Sequence, residues 1–151
     1  MGKDVYESAD ACRYILWNYE EYLAAKMGMT ATINEEERRE VWKLRASDSI
    51  EHIFPQNPRW EDGWSGKMRR AGGDDEPIPE NVGRIGNLVL LPTVLNSEAR
   101  SSGFDTKKKI YLKHSLRMIK EIGDQQDWTL AEIDQRDAQL VAWAKIRWAD
   151  V

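Results

Sequence analysis

Two short stretches carry side chains whose chemistry could be combined. One is Ile50-Glu51-His52-Ile53-Phe54-Pro55; the other is Ile85-Gly86-Asn87-Leu88-Val89-Leu90-Leu91-Pro92, with Leu95-Asn96 close behind. The carboxylate of Glu51 is a hard oxygen ligand suited to a divalent cation. The imidazole of His52, when unperturbed, titrates at about pH 6.5 and in its neutral form can take a proton from water. The amide oxygen of Asn96 could complete a cation site. Together these are the parts of metal-assisted phosphodiester hydrolysis. Singly they mean little, because a Glu-His pair is common on surfaces and Gly-Asn-Leu is a common turn before a strand. Their order and their apolar flanks make the combination specific.

Such residues need elements to position them. Residues 49–54 alternate in part and stop at Pro55, which reads as a short strand. Successive strand side chains point to opposite faces, so Glu51 and His52 can serve one substrate only if the strand ends or twists there. The run 88–91 is continuously apolar between Gly86 and Pro92 and reads as a buried strand. Between the two strands lies a long irregular loop, 55–83, rich in proline and glycine. Structureless segments of that length are uncommon in compact domains and are often functional. Trp60 and Trp64 are candidates to pin it to the body. A first helix is expected over 5–27, where Cys12, Ile15, Leu16, Tyr19, Leu23 and Met27 recur at helical spacings before Gly28. Further helices are expected from the N-cap Asn34 to about Leu44, over 104–122, and from Thr129 to about Trp148. The last opens on a capping box, Thr129 with Glu132. A short helix after Pro92 would carry Leu95 and Asn96. The expectation is a single domain over 1–151, α+β and mostly α-helical.

Composition removes several alternatives. The chain has 151 residues, one Cys (Cys12) and two His (His52 and His114). That excludes a disulfide framework, a Cys-rich zinc site and a three-His metal centre. No apolar run approaches the roughly 18 residues of a membrane span. No basic-then-apolar leader opens the chain, so the cytoplasm is the default expectation. The net charge of −4 speaks against a nucleic-acid partner, but charge is uneven along the chain. Residues 100–120 hold Arg100, Lys107, Lys108, Lys109, Lys113, Arg117 and Lys120 against Asp105 alone, net +6, between acidic flanks. A run of this kind is either a solvated helix face or a surface that tracks phosphates. Lys67, Arg69 and Arg70 form a second basic candidate within the long loop. His114 has no neighbouring carboxylate and reads as structural or surface. Cys12 reads as core, and Asp74-Asp75-Glu76 as a solvated cluster.

With these residues in view, the sequence resembles the HNH, or His-Me finger, nucleases. Within them it is similar to the C-terminal, His-x-x-Pro nuclease domain of GmrSD-type modification-dependent restriction enzymes. The matching residues are His52-Ile-Phe-Pro55, Ile85-Gly-Asn-Leu-Val-Leu-Leu-Pro92, Leu95-Asn96, and Phe104 with Lys107, Lys108 and Tyr111. The resemblance implies a ββα-metal core flanked by N- and C-terminal helices. It implies His52 as general base, with Asn87 as the catalytic-site residue that mainly holds the His-bearing loop. Glu51 takes the position of the metal-binding acid, usually Asp, and Asn96 that of the last metal ligand. The implied cofactor is one divalent cation, magnesium first and manganese, nickel or zinc as alternatives; the single Cys excludes the structural zinc that many relatives bind. Arg100 would meet the scissile or an adjacent phosphate, and Lys107, Lys108, Lys109 and Lys113 would track the DNA backbone. The implied activity is nicking or cutting of DNA, as the effector of a prokaryotic anti-phage restriction system. A ParB-like nucleotide-hydrolysing sensor domain or subunit would lie outside this chain, which would then be the C-terminal piece of a longer protein. The alternatives are a non-catalytic DNA-binding module on the same fold and an RNA-directed nuclease.

Overall fold

A computed structural model describes residues 8–28, 35–69, 73, 78–95, 97–114 and 116–151. At its centre β1 (Ile50–His52) pairs antiparallel with β2 (Leu88–Leu90). Ile50 faces Leu90, Glu51 faces Val89 and His52 faces Leu88. Every residue of both strands is buried. A strand covered on both faces reads as an unbroken apolar run, which is why 88–90 does not alternate. Both strands pair over fewer residues than their sequence patterns suggest.

β2 lies against α1 (Ala9–Lys26) and against α6 (Arg117–Gly123). α1 buries Cys12, Leu16, Tyr19 and Leu23, the spacing expected of its apolar stripe. It ends where Gly28 turns left-handed at φ 72°, a conformation that costs glycine little. α2 (Glu35–Trp42) opens with three acids in its first turn, where the helix dipole favours them. It stops two residues short of Leu44, and its expected cap, Asn34, lies outside the described residues. A single 3-10 turn, Ala46–Ser49, delivers the chain to β1.

The insertion between the strands is anchored at Trp64. That indole is buried, donates its N–H to the Ser102 carbonyl at 3.0 Å, and packs its ring on Phe54 at 4.8 Å. Trp60 is half exposed. Among the described residues of the insertion, the helical pieces are a 3-10 turn at Trp60–Asp62 and α3 (Ile78–Asn81). Asp74-Asp75-Glu76 lies outside the described residues.

The single helix expected over 104–122 is two. α4 (Ser97–Ser101), which begins beyond Leu95, is followed by α5 (Phe104–Tyr111) and then α6. The break has a tertiary cause. The amides of Arg117 and Met118 donate to the carboxylate of Glu20, on α1, at 3.0 and 2.9 Å. In a continuous helix they would bond carbonyls four residues back. Glu20 therefore caps α6 from another element, and the N-cap residue Leu116 supplies no side-chain cap.

α7 (Leu130–Arg147) begins with the expected capping box and packs on the 3-10 turn Ile85–Asn87 that precedes β2. The approach is close: a Cβ added to Gly86 would sit 2.4 Å from the Ile133 carbonyl oxygen, so only glycine fits. Buried Arg136 donates through Nη1 to the carbonyls of Ile85, Gly86 and Leu88 at 3.2, 3.0 and 2.7 Å. Arg84 bridges Asp134 at 2.7 Å and Asp137 at 3.4 Å. Together these bonds fix the turn that carries Asn87. The architecture is α+β and mostly α-helical, as expected. No helix among the described residues is long and apolar enough to cross a membrane.

Candidate active site

β1 runs into a cleft of about 200 Å³ whose walls include Asp48, Glu51, His52, Gln56, Asn57 and Arg100. Glu51 and His52 are neighbours in sequence yet border the same space, and β1 ends at His52. Two clamps hold that ending. On one side is Asn87, fully buried. Its backbone carbonyl accepts from Ile53 N at 2.9 Å, and its Oδ1 accepts from Phe54 N at 2.8 Å. Its Nδ2 donates to the carbonyls of Phe54 and Val82, both at 2.9 Å, and the indole of Trp128 donates to Oδ1 at 3.0 Å. Asn87 does not line the cleft; it holds the segment that bears His52.

On the other side is Lys107, from α5. The phosphate-tracking role expected of this residue is corrected by the fold, because its side chain has no exposed surface. It follows Phe104 and precedes Tyr111 on the buried stripe of α5. Its Nζ donates to the carbonyls of His52 and Ile53 at 2.8 and 3.1 Å and to Glu51 Oε1 at 3.3 Å.

Burial and charge set the protonation states. Burial, with the cations of Lys107 and Arg100, pushes the His52 imidazole down to about 4. The ring is thus neutral at physiological pH, the form that can accept a proton. Burial raises the Glu51 carboxyl above the usual range, opposed by Lys107, Arg100 and the His52 amide. Glu51 Oε2 is buried and has no hydrogen-bond partner among the described residues. Magnesium is commonly held by one or two carboxylates and completes its shell with water and substrate phosphate. Glu51 lines this cleft, and its carboxylate oxygen without a partner fits that requirement. Asn96, the other expected ligand, lies outside the described residues, which contain no cluster of three metal-ligating side chains.

The remaining basic residues divide. Arg100 is exposed on the cleft wall, as a phosphate contact requires. Lys109 and Lys113 are exposed and neither lines the cleft; Lys109, two residues from Lys107, lies on the opposite side of α5. Lys108 is half-buried, its ammonium 5.6 Å from the Phe104 ring centre. Lys67 is bound by Asp127 at 2.6 Å. Arg69 is exposed, and Arg70 lies outside the described residues. The net charge of the 100–120 segment therefore overstates the charge that faces outward. His114 lies in the break after α5, half-buried and apart from the cleft, its pKa lowered by burial.

The profile of the GmrSD restriction endonucleases, C-terminal domain, matches residues 1–143. This chain belongs to that family. No curated protein and no solved structure matches it. Membership gives the GmrSD C-terminal domain described here a nuclease function of the restriction-endonuclease type.

Three features of this GmrSD domain were not read from its sequence. Asp48 places a second carboxylate on the cleft wall, where it also pairs with Arg45 at 3.1 Å. Arg136 fastens the Asn87 turn; the spacing Ile133, Arg136, Leu140, Trp143 puts it on the apolar stripe of α7, and that was its signal. Trp128 completes the bonds of Asn87, and no local pattern points to it.

Proposed function

We propose that this domain hydrolyses DNA phosphodiester bonds with a divalent cation, His52 acting as general base. The observation that carries the reading is a buried imidazole sharing one small cleft with an exposed arginine and with Glu51, whose Oε2 lacks a partner among the described residues. The cleft admits a phosphodiester, and Arg100 binds its non-bridging oxygen through charge-assisted hydrogen bonds. His52 takes a proton from water as the water oxygen attacks phosphorus. The bond from phosphorus to the 3′ oxygen breaks in line with the attack, and that oxygen gains a proton from solvent. Glu51, through Oε2, and Asn96 are the residues that would hold the cation. When bound, it would supply positive charge to the phosphate and the leaving oxygen. In this reading the domain is the effector of a prokaryotic restriction system acting against phage, and nucleotide-driven sensing belongs to a ParB-like domain outside these residues.

The test is nicking of supercoiled plasmid by the unaltered chain and by His52→Ala, across magnesium, manganese, nickel and zinc and with a chelator. Loss of a general base typically costs about 10²–10⁴-fold in rate. His52→Ala should lose that much with unchanged circular dichroism, and chelation should stop the reaction. Full activity in His52→Ala, or chelator-resistant nicking, overturns the mechanism. Plasmid binding without cleavage under every cation would mark a non-catalytic module instead.

A further inference from the structure

We propose that Lys107 is a positioning residue of the nuclease site: its buried ammonium turns and fixes the peptide that follows His52, and holds one Glu51 oxygen so that the other is free for a cation. The proposal deepens the nuclease reading and rests on it.

The geometry is specific. An ammonium has three N–H donors, and Nζ has three acceptors, His52 O, Ile53 O and Glu51 Oε1, at 2.8, 3.1 and 3.3 Å. The neutral amine has only two N–H, so the full set of bonds belongs to the charged form. Successive carbonyls of a regular strand point to opposite sides. Those of His52 and Ile53 converge on one nitrogen, so the backbone turns at the peptide joining them. β1 ends there, beside the cleft that Glu51 and His52 border. Asn87 grips the same segment one residue further on, at Ile53 N and at both backbone groups of Phe54. The segment bearing His52 is thus clamped from α5 and from the turn before β2.

Stability alone does not account for a lysine here. An apolar side chain of similar volume generally serves a core as well as a buried ion pair or better. All three bonds of this lysine end within residues 51–53, the residues of the site itself. The division of Glu51 is equally pointed: Oε1 is taken by Lys107, while Oε2 is the oxygen left without a partner. A carboxylate held in this way can offer one oxygen to a cation without surrendering its ion pair.

The test compares the unaltered chain with Lys107→Met, which keeps the length of the side chain and removes its donors. A second variant, Glu51→Gln with Lys107→Met, removes both charges and leaves no buried carboxylate unpaired, so it folds if the single variant does not. The primary measurement is the ring resonances of His52 by NMR, distinguished from those of His114 through a His114→Gln substitution. The second is plasmid nicking, with kcat separated from the half-saturating cation concentration. In folded Lys107→Met the His52 resonances should move while those of His114 stay. There kcat should fall about 10²-fold, the usual cost of a displaced catalytic group, and the half-saturating cation concentration should rise. In the double variant, where Glu51 is itself altered, only the resonances are read, and they too should move. His52 resonances that coincide with those of the unaltered chain in either folded variant, or an unchanged kcat in Lys107→Met, overturn the proposal. Failure of the unaltered chain to nick with any cation overturns the nuclease reading instead, and the resonances still decide the role of Lys107.

Discussion

Replacing Asn87 by alanine tests the link between the buried scaffold and the cleft. The substitution strips partners from two N–H groups, Phe54 N and Trp128 Nε1, and from two carbonyls, Phe54 and Val82. The residue is fully buried, so water does not simply replace the lost side chain. A buried donor left unsatisfied costs about 1–3 kcal/mol, and with each carbonyl at the low end the total is about 4–8 kcal/mol. For a domain of this size each kcal/mol shifts Tm by roughly 2–4 °C, so Tm should fall by roughly 8–32 °C. Asn87→Asp provides the control. It preserves both accepted bonds but sets a carboxylate oxygen against the Phe54 and Val82 carbonyls. It should be strongly destabilised at neutral pH and recover as pH falls, because a protonated carboxyl can donate again. Urea unfolding followed by circular dichroism measures both variants. Nicking is then assayed at a temperature where each is folded, and should be down about 10²-fold because the His52 segment has lost one clamp. A stability loss below about 1 kcal/mol in Asn87→Ala would refute the hydrogen-bond accounting. A folded variant with full nicking would refute the link to the site.

Three further outcomes follow from the geometry. Arg100 is exposed, so Arg100→Ala should keep its stability and lose about 10–10²-fold in kcat/KM through one missing charge-assisted contact; an unchanged kcat/KM on plasmid removes Arg100 from the phosphate site. Glu20→Ala should cost about 2–4 kcal/mol in urea unfolding, because two amides at the start of α6 lose their acceptor; a loss under about 0.5 kcal/mol would show that α6 needs no cap from α1. Burial lowers the pKa of His114 below its unfolded value of about 6.5, so its contribution to stability is intact above that pH and is lost as pH falls through the lowered folded value. The drop in urea midpoint from pH 7.5 to pH 5, both about these values, should therefore shrink in His114→Gln; equal drops would show that His114 titrates as if unfolded.

Much of this domain was legible because its determinants are local. The stripe Cys12, Leu16, Tyr19, Leu23 and the stop at Gly28 lie within one helix, and so do both partners of the Thr129–Glu132 capping box. The run 88–90 is apolar because it is covered on both sides. Glu51 and His52 stand out by chemical type and Asn87 through the family resemblance, and the fold brings Glu51 and His52 to one cleft with Asn87 behind them.

What the sequence could not decide depended on partners far along the chain. Spacing permits one helix over 104–122; Glu20, from the other end of the chain, draws off the amides of Arg117 and Met118 and makes it two. Lysine reads as surface because burying an ammonium is costly, and Lys107 was therefore counted with the outward charges. The desolvation is offset by the carbonyls of His52 and Ile53 and the carboxylate of Glu51, which only the meeting of α5 and β1 brings together. The same holds for Arg136, whose offsetting carbonyls belong to the turn before β2. The sequence by itself determined which groups can do the chemistry. Tertiary structure decided which cations face the substrate and which face inward, because a buried charge is tolerated only where distant backbone converges to receive it.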